Sequence, residues 1–309
     1  MAPKKRKSAR GKSATEPNDG EDEHHSVLGG MNGGHRVGTT IPGNDDDNED
    51  FKVPFNDKEI ICEGRGVHRN RDAGPSLIFT HGAGGGIATP ATRDFARGFA
   101  EVAPVVCFQG TMNLQSRVKT FHAVIEHTKG NEAALGGRSL GARAAVLSSQ
   151  DHETKALVLV SYPLVGGKKG DVRDQILLDL PETVDVLFMT GSEDKMCDLQ
   201  QLTSVTEKMN ARCWIVTVQG ADHGMSIKQK AGIEALRRKT GAVAADWLKA
   251  HDEEGRFCSA EWDAERSEAV SSPWKKQAID AQNTEPVDDG KGGDTAELKP
   301  PAKKKRKTR

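Results

Sequence analysis

The sequence lacks the features that mark membrane-spanning and secreted proteins. Its longest unbroken apolar stretch is the five residues from Ala156 to Val160, far short of the roughly 18 that a spanning helix requires. The segment that begins at Met1 is basic and has no apolar core of the kind found in a secretory signal. We therefore expect an intracellular protein that has no membrane partner.

Cysteine is scarce, and its spacing indicates neither disulfides nor a metal site. Five cysteines are present, an odd number, and no two of them form a Cys-x-x-Cys pair. This pattern argues against a disulfide framework and provides no zinc motif. We expect reduced, mostly buried thiols at Cys62, Cys107, Cys197, Cys213 and Cys258.

Apolar residues are also scarce at both ends of the chain. Only 9 of residues 1–50 and 15 of residues 251–309 are apolar, too few to bury a core. We expect a disordered basic and acidic tail over 1–50, a folded domain over 51–250, and a mostly disordered tail over 251–309 with a basic C-terminus. One short docked helix is expected within this second tail, marked by Phe257, Trp262 and Trp274.

The central segment alternates short, β-branched apolar runs with longer stretches of helical period. This alternation predicts an α/β fold whose mostly parallel sheet is flanked by helices. The predicted strands are Glu59–Cys62, Ser76–Thr80, Val105–Phe108, Ala133–Gly137, Ala156–Tyr162, Asp185–Thr190 and Arg212–Val218. The predicted helices are Thr92–Glu101, Leu114–Thr128, Leu140–Gln150, Leu199–Asn210 and Gly232–Ala250.

A Gly-x-Ser-x-Gly motif lies where a predicted strand ends and a predicted helix begins. Its residues are Gly137-Arg138-Ser139-Leu140-Gly141. In this context the serine occupies a strained turn that projects its hydroxyl, and the flanking glycines let neighbouring backbone approach closely. The motif predicts a nucleophile at Ser139, with an ordinary glycine-rich turn as the alternative.

A glycine-rich segment, His81-Gly-Ala-Gly-Gly-Gly, directly follows another predicted strand. The α/β-hydrolases place part of their oxyanion hole at this position. We expect the backbone N–H of Leu140 and that of Gly82 or Ala83 to stabilise a negatively charged oxygen. A nucleotide-binding loop is the alternative, but the segment contains neither a P-loop nor a strict Rossmann fingerprint.

A serine nucleophile requires a histidine base and an acid that orients this base. Asp194 and His223 each follow a predicted strand, so parallel strands would bring both to the sheet edge where Ser139 lies. The chain order serine, aspartate, histidine is that of the α/β-hydrolases. Glu193 and Asp198 are the alternative acids.

Two further side chains adjoin these motifs and are candidates for substrate binding. Arg138 precedes the nucleophile, where its cation would favour an anionic group on the substrate, and His81 opens the glycine-rich segment. The alternative for Arg138 is an ion pair with a structural carboxylate such as Asp198.

These motifs resemble the small α/β-hydrolase-like proteins of the testis-expressed protein 30 type, which are grouped with the hydrolase-like domain of NSL-complex subunit 3. The resemblance extends from about Ser76 to Trp247 and implies a dienelactone-hydrolase-like α/β-hydrolase fold with a minimal lid or none. It also implies that larger, chromatin-associated relatives serve as subunits of complexes. The matching blocks are His81-Gly-Ala-Gly-Gly, Gly136-Gly-Arg-Ser-Leu-Gly-Ala-Arg-Ala-Ala, Ser161-Tyr-Pro-Leu, Gly191-Ser-Glu-Asp-Lys-Met-Cys and Ala221-Asp-His-Gly-Met.

Both ends of the chain contain basic clusters that resemble nuclear-import signals. We expect an import receptor to bind them and the protein to be nuclear or nucleocytoplasmic, with a solvated basic tail as the alternative. No aromatic residues interleave with these cations, so we expect no sequence-specific nucleic-acid binding. The clusters are Lys4, Lys5, Arg6, Lys7 and Lys303, Lys304, Lys305, Arg306, Lys307.

Together these features predict a serine hydrolase, similar to a carboxylesterase or thioesterase, that needs no cofactor. Its substrate would be a small ester, thioester or related acyl compound that forms an acyl-enzyme on Ser139. The second hypothesis is a catalytically silent, hydrolase-shaped scaffold or subunit of a nuclear protein complex, since a fold alone does not establish catalysis.

Overall fold

The computed structural model describes residues 48–67, 74–166, 170–251 and 254–276. Within these residues, ten strands form one sheet and two further strands form a small antiparallel ladder. The strands are β1 Asn48–Phe55, β2 Lys58–Arg65, β3 Leu77–Thr80, β4 Val105–Phe108, β5 Ala134–Arg138, β6 Ala156–Val160, β7 Val165–Gly166, β8 Asp171–Val172, β9 Asp185–Gly191, β10 Arg212–Val218, β11 Phe257–Asp263 and β12 Glu268–Ser271. The helices are α1 Pro90–Ala100, α2 Leu114–Thr128, α3 Leu140–Gln150, α4 Gln175–Leu178, α5 Leu199–Thr206 and α6 Ile233–Lys249.

The large sheet has the strand order β1-β2-β4-β3-β5-β6-β9-β10-β11-β12. Neighbouring strands from β4 to β11 are parallel. Antiparallel pairing brings β1 and β2 to one edge and β12 to the other. Because the central strands run in the same direction, the loops that follow β3, β5, β9 and β10 all leave from one edge of the sheet.

Helices cover both faces of this sheet, and so its central strands are apolar on both sides. On β3, Leu77 and Phe79 pack into a core that also contains side chains of α1 and α6. Ile78 lies between them in sequence and joins the opposite core, with side chains of α2 and α3. This packing explains the continuous apolar runs in the sequence.

The structure confirms the predicted α/β-hydrolase fold and its mostly parallel sheet. All seven predicted strands are present, as β2 to β6, β9 and β10, and all five predicted helices are present, as α1, α2, α3, α5 and α6. Helices α2 and α3 have the predicted bounds. Strands β4 and β10 also have the predicted bounds. The remaining boundaries differ by a few residues, and β1 begins at Asn48, three residues before the expected start of the domain.

The prediction of a short docked helix after residue 250 is wrong. Instead, β11 adds to the sheet parallel to β10, and β12 pairs with β11. Cys258 and Ala260 are buried alternately along β11, which is the two-residue period of a strand, and the Trp262 ring lies where a Cβ on Gly232 would stand. The folded part of the chain therefore extends past 250, while the predicted tails before 48 and after 276 lie outside the described residues.

The connection between β6 and β9 is short, as a minimal lid requires. Its described residues contain only the β7-β8 ladder and α4, which is one turn long. We find no helix in the described ranges that has the length and apolarity needed to cross a bilayer.

The five cysteines are unpaired, and four of them are buried, as predicted. Burial raises the pKa of Cys62 to about 12 and that of Cys197 to about 12. Since the thiolate is the reactive form, these thiols are inert packing groups near neutral pH.

Helices α1 and α6 approach each other through two glycines. A Cβ on Gly241 would lie 2.0 Å from the carbonyl oxygen of Phe95, and one on Gly98 would lie 1.8 Å from the carbonyl oxygen of Arg238. Backbone atoms occupy both places, so no side-chain rearrangement can make room.

We predict that Gly241→Ala destabilises the protein by about 1–3 kcal/mol, because overpacking forces the two helices apart. Alanine is the better helix former by about 1 kcal/mol, so helix propensity alone predicts the opposite sign. Urea unfolding monitored by circular dichroism measures the change, and an unchanged or increased free energy of unfolding would contradict the packing argument.

Candidate active site

Ser139 lies at the sharp turn between β5 and α3. Its backbone has φ 52° and ψ −112°, a conformation that is strained for a residue with a side chain. A Cβ on Gly137 would lie 2.4 Å from the carbonyl carbon of Gly141, and one on Gly141 would lie 2.5 Å from the carbonyl oxygen of Thr80. Both glycines are therefore needed for the turn to close against its surroundings.

His223 connects Ser139 with Asp194. Its Nε2 lies 3.0 Å from Ser139 Oγ, and its Nδ1 lies 2.8 and 3.0 Å from the two carboxylate oxygens of Asp194. An ionised carboxylate only accepts hydrogen bonds, so Nδ1 carries the proton and Nε2 is left to accept the Ser139 hydroxyl. The structure thus brings together the three predicted side chains.

Asp194 is buried, whereas the alternative acids have other partners. The Asp194 side chain is 0% exposed and also accepts the backbone N–H of Met196 at 2.8 Å. Glu193 is exposed and faces Lys228 Nζ at 3.5 Å. Asp198 caps α5 by accepting the N–H of Gln201 at 2.9 Å.

The predicted oxyanion donors adjoin Ser139. A Cβ on Gly82 would lie 3.4 Å from Ser139 Cβ, so the glycine-rich loop contacts the nucleophile. Leu140 is the first residue of α3, and its N–H has no acceptor within the helix. Among the described residues, the N–H groups of Gly82 and Ala83 also have no hydrogen-bond acceptor, which leaves them available to a ligand oxygen.

The structure does not support the predicted contact of His81 with substrate. His81 is 2% exposed. Its Nδ1 lies 2.7 Å from the Gly82 carbonyl oxygen, and its Nε2 accepts the Gly110 N–H at 3.0 Å. Burial, together with the nearby Arg117 cation, lowers the pKa of His81, so the neutral ring holds the glycine-rich loop of residues 81–86, the predicted oxyanion loop, against the loop after β4.

Arg138 binds the loop that contains His223. Among the described residues it forms no ion pair with Asp198, which the sequence left open as an alternative. Its Nη2 donates to the His223 carbonyl oxygen, and its Nη1 would stand 2.8 Å from a Cβ on Gly82. Burial lowers the pKa of Arg138, as does the Arg237 cation. The arginine therefore spans the space between the loop that contains His223 and the glycine-rich loop.

The sequence analysis did not identify Asp222, which orders the turn beyond His223. Asp222 accepts the N–H groups of Gly224 and Ser226 at 2.8 and 2.9 Å and so shapes the turn beyond His223. Its place one residue before the histidine is the signal that could have identified it, since aspartate commonly closes such turns.

Comparison with known proteins identifies the family of this chain. The family model described as the alpha/beta hydrolase domain matches residues 73–248. Est1E from Butyrivibrio proteoclasticus has a similar structure, with a TM-score of 0.53, 13% identity, and coverage of 65% of this chain and 99% of that chain.

Two further solved structures share the fold. An esterase from Pyrococcus furiosus matches with a TM-score of 0.51 and 12% identity over 65% of this chain and 90% of that one. The esterase domain of a Rhodothermus marinus protein matches with a TM-score of 0.50 and 13% identity over 65% of this chain and 98% of that one.

We predict that protonation of His81 lowers the free energy of unfolding as the pH falls. Above its ordinary pKa of 6.5, both the folded and the unfolded state hold a neutral imidazole. Below that pH the unfolded chain binds the proton first, so the free energy of unfolding falls until the pH passes the lower pKa of the folded state.

Urea unfolding of the wild type and of His81→Gln between pH 7 and pH 5 tests this sign. The wild type should lose more stability on acidification than the variant, whatever their difference at pH 7. An equal loss in both proteins would show that His81 does not titrate as described.

Proposed function

Because the chain belongs to the alpha/beta hydrolase domain family, we propose that it is a serine hydrolase that cleaves a small ester, thioester or related acyl bond. The observation that supports this proposal most strongly is the continuous hydrogen-bonded chain from Ser139 through His223 to the buried Asp194. The narrower relationship to the testis-expressed protein 30 type is part of the same proposal.

The geometry supports a two-step acyl transfer. As Ser139 Oγ forms a bond to the substrate carbonyl carbon, its proton passes to His223 Nε2, and Asp194 stabilises the imidazolium that results. His223 then returns this proton to the leaving group as the acyl bond breaks. A water molecule attacks the acyl-enzyme with the same assistance, releasing the acid and restoring Ser139.

The oxyanion that develops in both steps would lie between the turn at α3 and the glycine-rich loop. The N–H of Leu140 points from the helix terminus, and the N–H groups of Gly82 and Ala83 are the other candidate donors. Preorganised donors of this kind stabilise a transition state strongly, since removing one typically costs about 100-fold or more in rate. Two of the proteins with similar folds are described as esterases, which agrees with this chemistry.

A fluorophosphonate probe tests the nucleophile and its acid together. We expect covalent labelling of the wild type, at least about a thousandfold slower labelling of Ser139→Ala and His223→Ala, and a large loss in Asp194→Asn because His223 adopts the wrong tautomer. Labelling kinetics on folded protein, checked by circular dichroism, provide the measurement.

Two variants serve as matched controls. Asp198→Asn keeps a good helix cap, and Ser149→Ala alters the far end of α3, so both should label at the wild-type rate. Labelling that survives Ser139→Ala would contradict the nucleophile assignment. An unlabelled wild type would favour the hydrolase-shaped scaffold of a nuclear complex.

We also propose that the basic clusters direct nuclear import through an import receptor. Lys4 to Lys7 and Lys303 to Lys307 lie outside the described residues, and their sequence alone supports this role. The charge on an extended chain is what such receptors recognise.

Fluorescence microscopy of the tagged full chain tests the import proposal. Alanine substitution of both clusters should move the protein from the nucleus to the cytoplasm, and substitution of either cluster alone should have a smaller effect. Ser139→Ala is the control and should leave the location unchanged. Nuclear accumulation that persists without both clusters would contradict the proposal.

A further inference from the structure

Arg117 is a fully buried cation beside the oxyanion loop, and no step of acyl transfer described above uses it. The residue lies in the first turn of α2 and is 0% exposed. Among the described residues, no carboxylate forms an ion pair with its guanidinium. Burial lowers the pKa of Arg117 to about 10, which still leaves it charged at neutral pH.

The guanidinium binds backbone carbonyl oxygens in place of an acid. Its Nη1 donates to the His81 oxygen and, at 3.4 Å, to the Gly82 oxygen, while its Nε donates to the Thr111 oxygen at 2.8 Å. A Cβ on Gly110 would lie 2.5 Å from Nε, so the loop after β4 leaves space for this group.

These two carbonyl oxygens belong to the peptide groups that supply the oxyanion donors. The His81 oxygen and the Gly82 N–H are the two ends of one planar peptide group, and the Gly82 oxygen and the Ala83 N–H are the ends of the next. A hydrogen bond at the oxygen end polarises the group and strengthens its N–H as a donor, most of all where water is excluded.

We propose that Arg117 is a positioning residue that orients and polarises the Gly82 and Ala83 N–H groups, so that its buried charge acts on the oxyanion through two peptide groups. This inference rests on the proposed acyl transfer and adds an electrostatic source for its oxyanion hole. Because the guanidinium would reach the oxyanion only through the oxygen ends of these peptide groups, its stabilising effect grows as negative charge develops in the transition state and contributes little to ground-state binding.

Removing the guanidinium while keeping most of its volume tests the proposal. With p-nitrophenyl acetate as the substrate, Arg117→Met should lower kcat by about tenfold or more and leave KM nearly unchanged. Fluorophosphonate labelling should slow by a similar factor, because the phosphonyl oxygen occupies the same donors.

Infrared spectroscopy of the acyl-enzyme distinguishes polarisation from general loss of order. The isotope-labelled carbonyl of the acyl group on Ser139 Oγ should absorb at a higher frequency in Arg117→Met than in the wild type, because weaker donors polarise this carbonyl less. Arg117→Lys retains the charge but lacks the planar fork, so its frequency should lie between the two. The Gly241→Ala variant controls for lost stability and should keep the wild-type frequency.

The outcomes separate this inference from the function on which it rests. A folded Arg117→Met that keeps the wild-type rate and carbonyl frequency overturns the role of Arg117 and leaves the serine hydrolase intact. If that variant does not fold, Arg117→Gln, which also removes the charge, decides, and wild-type values in it overturn the proposal. A wild type that does not react with either probe overturns the proposed function and this inference together.

Discussion

The hydrogen bond between His223 and Asp194 is the interaction on which the rest of the site depends. It forms because β9 and β10 are adjacent and parallel, with Gly191 opposite Val218 at their ends, so that the following loops meet. A Cβ on Gly191 would lie 2.1 Å from the Ala221 carbonyl oxygen, and glycine there lets the two loops touch. The buried carboxylate then fixes the tautomer of His223 and, through it, the acceptor that faces Ser139.

Arg117, which is buried, and Arg138, which is half-buried, stabilise the loops around Ser139 and His223, and within the described residues neither forms an ion pair with an acid. Arg138 binds the carbonyl oxygen of His223, and Arg117 binds those of the oxyanion loop. A cation removed from water is costly unless it is paired or hydrogen-bonded, so these contacts hold the carbonyl groups against the guanidinium groups, although Arg117 Nη2 and Arg138 Nε have no hydrogen-bond partner among the described residues. These contacts order both loops, as the preorganised donors of the proposed acyl transfer would require.

Much of the fold and of the candidate site could be predicted from the sequence. The alternation of apolar runs with helical periods identifies the parallel sheet, and the parallel sheet in turn predicts that residues following different strands meet at one edge. That reasoning places Ser139, Asp194 and His223 together, as the structure shows. It could not identify β11, because Phe257 and Trp262 are sparse aromatics in a polar segment, and only the pairing of β11 with β10 explains their packing against the core.

The roles of His81 and Arg117 also required the structure. A histidine beside a glycine-rich loop has the same sequence signature whether it faces a ligand or the backbone, and the 2% exposure of His81 decides between these roles. Arg117 is separated from the oxyanion loop by α1 and β4 in sequence. Only the order of strands in the sheet brings its helix beside that loop, so no local pattern indicates its contact with the two peptide groups.

Mass spectrometry of the intact chain during turnover of p-nitrophenyl acetate tests whether Ser139 forms an acyl-enzyme, because it detects this intermediate itself. We expect a single acetyl group, located on Ser139 by peptide mapping, which disappears in Ser139→Ala. An acetyl group located on another residue, or an unmodified chain during turnover, would contradict this expectation.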